Sequence, residues 1–295
     1  MPKIRVVKLL IFTILISLLS FWMFAESMVN YAAERDFTGM VRLCLTVFPY
    51  LANRTDEENG NSPLMIASSR GDIEMVRFIL RKGISPNSRG LGGDTPLLRA
   101  ASRNNYEIIK LLVDAGADVN AAEDDDDDDD TIILENDTSL TLLAECQESR
   151  SYKAISFLLA KGADVNAATN LGITPLHNAV GALSKDVVKL LLDNGANVNA
   201  RTKQGWKPFH RGWTPLHSIA SNEFYDCDLP GSETGETICA AKSIIDMLLA
   251  KGADINAKDI DGKTLLRLLC EKEKDKHISI IEYLKEKGAR DIIIE

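Results

Sequence analysis

The sequence is short of the residues that catalysis most often uses. It holds four His and five Cys in 295 positions. No glycine-rich phosphate loop, nucleophile elbow or paired-acid motif accompanies them. The reading is therefore not an enzyme, with no cofactor and no metal. Positive charge is also scarce. Lys and Arg number 34 against 43 Asp and Glu, for a net charge of −9. A general grip on nucleic acid needs a basic surface, so nucleic acid is excluded as the partner class.

One stretch lacks charge altogether. Leu9 to Ala25, "LLIFTILISLLSFWMFA", follows the basic "MPKIRVVK", and the first 25 residues contain no acid. A basic segment before an apolar run has the form of a secretory signal. The run is long for a signal core and just short of a typical membrane-spanning helix. Ala25 fits the last position before a cleavage site, but Met23 two residues earlier is not small. Residues 1–25 read as either a cleaved signal peptide or an uncleaved membrane anchor. Both keep the positive end in the cytosol and carry the remainder across. The expected location is the bacterial periplasm, or the inner membrane with the following domain outside the cytosol. Membrane contact would run through the N-terminal helix if it is uncleaved.

The remainder repeats itself. Endings align as KGISPN (82–87), AGADVN (115–120), KGADVN (161–166), NGANVN (194–199) and KGADIN (251–256). Beginnings align as SPLMIA from Ser62, TPLLRAA from Thr95, TPLHNA from Thr174 and TPLHSIA from Thr214, with TLLAEC from Thr141 as a degenerate copy. Thr95, Thr174 and Thr214 suit a helix N-cap, where the hydroxyl accepts from early helical N–H groups. Proline at the first helical position forfeits no hydrogen bond. A second apolar helix follows, as in "DIEMVRFILRKG", and glycine ends it in a left-handed turn. A short extended finger leads to the next cap. One such helix pair cannot bury its apolar faces alone, so neighbours must stack.

This pattern resembles the ankyrin repeat family over about residues 28–295. The resemblance implies an all-α solenoid of helix–turn–helix units with protruding fingers, non-catalytic and bound to other proteins. It also implies that His177 and His217, the fourth letters of TPLH, hydrogen-bond near the cap Thr and toward the neighbouring repeat. Seven units are expected, at about 26–58, 59–90, 91–122, 123–169, 170–200, 201–257 and 258–295. The last is a solvated end cap carrying Arg267, Glu271, Lys272, Glu273, Lys274 and Lys276.

Irregularities mark what is particular to this chain, because insertions in a repeat stack leave as surface loops. The first holds Glu123 to Asp130, an unbroken acidic run. It reads as a solvated loop, a docking strip for a basic partner, or a loose Ca²⁺ site lacking the spaced ligands that fix a geometry. The second is a duplication: QGWKPFH (204–210) directly precedes RGWTPLH (211–217). Lys207 cannot cap a helix as Thr214 can, so Thr214 is expected to begin the helix and residues 204–210 to enlarge the finger. Arg201, Lys203, Lys207 and Arg211 make that finger basic. Trp and Arg are typical interface anchors, so the protein-binding candidates are Trp206, Lys207, Phe209, His210, Arg211 and Trp213, although Trp213 also fills the ordinary slot before the cap. The alternative is that these aromatics fold down onto the next finger.

The third insertion, "NEFYDCDLPGSETGETICAAK", reads as a polar loop holding Cys227 and Cys239. A disulfide between them is allowed if the domain is exported. Cys44, Cys146 and Cys270 read as buried small hydrophobes. The leading function is a protein-binding scaffold acting through fingers and inner helices of repeats three to five. The alternative is a secreted effector or enzyme accessory whose insertions bind metal or carry a small activity.

Overall fold

The computed structural model describes residues 38–47, 60–123, 137–145, 149–203, 211–221, 234–273 and 277–290. The N-terminal segment 1–25 and the acidic run beyond Glu123 lie outside these residues. Among the described residues, no helix is long and apolar enough to cross a membrane. The chain divides into two compact units, Met1–Asp118 and Val119–Glu295.

The first unit contains α1 (Thr38–Val47), α2 (Pro63–Arg70), α3 (Ile73–Arg81), α4 (Pro96–Ser102) and α5 (Tyr106–Asp114). The short helices α2 and α4 pack side by side as an inner row, and α1, α3 and α5 form an outer row. The inner helices start where the sequence predicts. Met65 N–H donates to Ser62 Oγ at 3.3 Å, and Leu98 N–H donates to Thr95 Oγ1 at 3.2 Å. The outer helices have caps of their own. Met75 N–H donates to Asp72 Oδ1 at 2.9 Å, and Ile108 N–H donates to Asn105 Oδ1 at 3.3 Å. Leu64, Met65, Leu97, Leu98, Ile108, Ile109 and Leu112 fill the space between the rows. Each such side chain contributes about 1.5–3 kcal/mol on burial.

The second unit contains α6 (Ser139–Glu145), α7 (Ser149–Ala160), α8 (Pro175–Gly181), α9 (Lys185–Asp193), a 3₁₀ segment Pro215–Ser221, α10 (Thr234–Ala250), α11 (Leu265–Glu273) and α12 (Ile278–Glu286). The inner row runs α6, α8, 3₁₀ segment, α11, and the outer row runs α7, α9, α10, α12.

Asparagines of the repeat endings tie successive repeats together. In the first unit, Asn87 Nδ2 donates to Gly116 O at 3.0 Å and its Oδ1 accepts from Asp118 N–H at 2.8 Å. In the second unit Asn120 clasps Gly162 O and Asp164 N–H, and Asn166 clasps Gly195 O and Asn197 N–H. Asn199 clasps Gly252 O and Asp254 N–H, and Asn256 clasps Gly288 O and Arg290 N–H. Each side chain satisfies one carbonyl and one N–H of the turn that follows the next outer helix. Helix ends otherwise leave such groups to water.

Several expectations need correction. Thr141 does not begin a helix: it is buried inside α6. The cap position belongs to Thr138, whose Oγ1 accepts from Thr141 N–H at 3.3 Å while its own N–H donates to Thr141 Oγ1 at 2.8 Å. "TSLT" is thus the degenerate TPLH, three residues earlier than the sequence alignment put it. Thr141 Oγ1 takes over the acceptor role of the fourth-letter His. The helix after Thr214 is 3₁₀ in winding, with His217 N–H bonded to Thr214 O at 2.9 Å.

Cys239 does not lie in a loop but on α10, exposed and with a free thiol. α10 spans 17 residues where α9 spans 9, so part of the third insertion extends this outer helix. Cys227 and Cys146 lie outside the described residues. Cys44 and Cys270 are half-buried rather than buried, because each sits at the margin of its helix's apolar face. The fingers contain no strand among the described residues; the isolated bridge Ala122–Thr138 is the extended pairing that forms. At the C-terminal end Arg267 Nε and Lys263 Nζ both bind Glu271, at 2.7 and 2.5 Å, on an exposed face. Lys274 and Lys276 fall outside the described residues.

Candidate functional site

The fingers of the second unit share one hydrogen-bond pattern. In the regular finger Thr169 N–H donates to Ile173 O at 2.9 Å, and Gly172 N–H donates back to Thr169 O at 2.8 Å. The finger 259–263 repeats this: Asp259 N–H to Lys263 O at 2.8 Å, Gly262 N–H to Asp259 O at 3.1 Å. Between them Thr202 N–H donates to Trp213 O at 2.9 Å, and Gly212 N–H donates to Thr202 O at 3.1 Å. Thr202 therefore corresponds to Thr169, Lys203 to Asn170, Arg211 to Leu171, Gly212 to Gly172 and Trp213 to Ile173. The seven residues 204–210 leave the framework between Lys203 and Arg211, at the finger tip. The acidic insertion leaves in the same way. Glu123 N–H donates to Asp137 O at 3.2 Å, which closes the finger beneath residues 124–136.

Fingers also bond to one another. Lys203 N–H donates to Leu171 O at 2.7 Å, and Ile260 N–H donates to Arg211 O at 3.1 Å. The approach is close enough to demand glycine. A Cβ on Gly172, at φ +76°, would lie 2.9 Å from both Arg201 O and Lys203 N. One on Gly212, at φ +72°, would lie 3.0 Å from Ile260 N. Both the positive φ and the contact exclude a side chain.

Trp213 is not a surface residue, which removes it from the binding candidates. It is 4% exposed, with its ring stacked on His217 at a centroid distance of 6.1 Å. Its backbone N–H donates to Thr202 Oγ1 at 2.9 Å, and its backbone carbonyl lies 3.2 Å from His177 Nε2. The indole fills the hydrophobic slot before the cap, as Ile173 does in the regular finger. Arg201 is also committed internally, donating to Gly212 O at 2.9 Å and Lys258 O at 2.7 Å. Lys203 and Arg211 are exposed at the base of the insertion. Trp206, Lys207, Phe209 and His210 lie outside the described residues.

The two TPLH histidines are structural. His177 Nδ1 accepts from Thr174 N–H at 3.2 Å and sits 2.8 Å from Thr174 Oγ1. That leaves the proton on Nε2, which donates to Trp213 O in the next finger. Burial pushes the imidazole pKa down to about 4, so the ring is neutral at physiological pH. His217 repeats the inner half of the arrangement, with Thr214 N–H and Oγ1 at 3.1 and 2.8 Å from Nδ1. Its Nε2 faces the backbone of Lys263 and Ala257 without a full hydrogen bond. Burial lowers its pKa too, against the opposing pull of the Asp259 carboxylate. Both rings are held as hydrogen-bonding struts. Among the described residues no grouping of His, Cys, Asp and Glu would hold a metal ion.

Stacked helix pairs, TPLH-type caps, a ladder of bonded fingers and an asparagine clasp per repeat define a helical-repeat scaffold. The family model described as Ankyrin repeats (3 copies) matches residues 29–123, 124–202 and 140–229, and that described as Ankyrin repeat matches residues 211–260. Comparison with curated proteins gave no match. The chain belongs to the ankyrin repeat family. Ankyrin repeats are a scaffold for protein–protein interaction and are generally non-catalytic.

Proposed function

We propose that the chain is a non-catalytic scaffold acting outside the cytosol, and that its protein partner meets the fingers and inner helices of the second unit. The inserted tip 204–210 is the principal contact. One observation carries this reading. Thr202 bonds to Gly212 and Trp213 across the insertion, and Lys203 and Arg211 bond to the fingers on either side, so the framework closes without residues 204–210. The sequence inserted there, with Trp206, Lys207, Phe209 and His210 between exposed Lys203 and Arg211, has the composition of an interface anchor. The location outside the cytosol is supported by Lys3, Arg5 and Lys8 ahead of the uncharged run.

The test of binding is capture of partners from a lysate of the source cell by the full chain and by a variant lacking residues 204–210. The deletion should leave thermal unfolding unchanged and abolish capture of the specific partner. Trp206→Ala should weaken that binding by ~2 kcal/mol without moving the unfolding transition. Loss of folding in either variant would make the first copy a structural element and end the proposal. Location is tested by fusing a reporter that is active only in the cytosol after Glu295; a bright signal would refute export.

A further inference from the structure

The outer face of the first unit has a chemistry that protein packing leaves unused. Leu43 and Val47 on α1 are 66% and 60% exposed. They stand one helical turn apart, so they form one edge. Val41 and Leu45, on the opposite side of α1, are buried. Next to this edge two cations converge on one aromatic ring. The Arg42 guanidinium lies 5.7 Å and the Lys82 ammonium 5.4 Å from the Phe78 centroid. Among the described residues neither cation has a carboxylate within ion-pair distance. The acid of this helix, Glu74, pairs instead with Arg77 at 3.9 Å. Arg81 adds a third exposed cation beside Lys82. Apolar edge, aromatic ring and exposed cations on one outer face suit an interface of acyl chain and anionic headgroup.

Chain connectivity chooses the occupant. Beyond Ala25 the first unit holds 11 Lys and Arg against 12 Asp and Glu, and the second 20 against 31. An anionic surface therefore repels the second unit far more than the first, on which the exposed Arg42, Arg81 and Lys82 stand. The uncharged run Leu9–Ala25 ends twelve residues before Thr38. A chain of that length spans at most about 40–45 Å, so a run held in a bilayer keeps α1 near its surface.

We propose that the face formed by Leu43, Val47, Phe78, Arg42, Lys82 and Arg81 docks on an anionic lipid surface. It rests on the reading of Leu9–Ala25 as a membrane segment. Docking would lay the first unit on the bilayer.

The test uses the full chain carrying the photo-crosslinker benzoylphenylalanine at position 43 or 47, or at Leu91 as control. Leu91 is equally exposed, at 66%, but belongs to a finger of the same unit. Each form is reconstituted into vesicles of pure phosphatidylcholine, or of phosphatidylcholine and phosphatidylglycerol in equal parts. Lipid cross-links are expected from 43 and 47 in the mixed vesicles and not from 91. They should fall several-fold in pure phosphatidylcholine and in the Arg42→Glu, Lys82→Glu variant. Cross-linking at 43 and 47 that equals the control, or that ignores both changes of charge, overturns the proposal. Flotation separates the two readings. A chain that floats with both vesicle types but cross-links only at background retains the anchor and loses the docking face. A chain that floats with the anionic vesicles alone retains the docking face and loses the anchor. One that floats with neither loses both.

Discussion

Acid should destabilise this protein through a single buried ring. His177 is 3% exposed, and its pKa is lowered by burial to about 4 from an ordinary 6.5. Protonating Nδ1 would also set a new N–H against the Thr174 N–H that it now accepts. The sign follows from the depressed value. The unfolded chain binds the proton more readily than the folded one, so stability is lost as pH falls through 6.5 and levels off below about 4. Between pH 7.5 and 4.5 the loss is about 2.5 kcal/mol, a large part of the stability of an ordinary domain. His217, also lowered by burial, adds loss in the same direction. Asp94 and Asp137, both raised by burial, give a slope of opposite sign as pH falls into the carboxylate range.

Urea unfolding of the wild type and of His177→Gln at pH 7.5, 6.5, 5.5 and 4.5 isolates the ring. Glutamine keeps one acceptor and one donor but does not titrate. The variant starts less stable at pH 7.5 because the strut is imperfectly replaced. Its decline to pH 4.5 should be shallower by about 2.5 kcal/mol. Parallel declines for the two proteins would refute the reasoning, because other groups would then carry the acid response.

The finger glycines give a paired test. Gly262→Ala, with nothing within 4 Å, should cost only the roughly 1–2 kcal/mol of its left-handed backbone, whereas Gly172→Ala carries the same strain and also meets backbone at 2.9 Å, so it should cost well over about 2 kcal/mol in thermal unfolding; equal costs would mean that the fingers do not approach as described. Thr214→Ala removes the hydroxyl beside His217 Nδ1 and should cost ~1 kcal/mol, while Lys207→Ala should stay within roughly ±0.5 kcal/mol; the reverse order would reassign the start of the helix to the first copy.

Most of the fold was legible because each unit states its own boundaries. Ser or Thr followed by Pro is a strong local signal, and the caps at Ser62, Thr95 and Thr214 stand where the sequence puts them. The register at Thr141 was not legible, because the spacing count assumed an outer segment of constant length. α7 spans 12 residues where α5 and α9 span 9, so counting back from Gly162 stopped three residues short of the cap. Cys239 was misplaced for a related reason. Gly and Pro earlier in the insertion suggested a loop throughout, although "TICAAKSIIDMLLA" carries helical spacing up to its end. The burial of Trp213 follows from the slot that it fills, since Ile173 holds the same position. Only its chemical likeness to Trp206 suggested otherwise. The asparagine clasp left a signal that was seen but not interpreted: an Asn at the end of nearly every repeat, in a turn that needs no particular side chain for its own sake.

That clasp also explains why the chain tolerates such uneven repeats. Asn87 and Asn166 each reach a glycine 29 positions onward, Asn120 reaches across 42 and Asn199 across 53. The same two bonds form each time, worth about 1 kcal/mol apiece. Doubling a loop adds only about 0.6 kcal/mol of closure entropy. One clasp therefore outweighs the entropy of the insertion that it spans, provided that the inserted residues leave where no framework bond is interrupted. The finger tip between Lys203 and Arg211 is such a place, as is that between Glu123 and Asp137. The inner helices are not, because their polar ends are joined to the next finger through groups such as His177 Nε2. New sequence can thus accumulate at the tips with little effect on stability. This physical asymmetry makes the tips, rather than the repeat consensus, the place to look for what distinguishes this scaffold's partner.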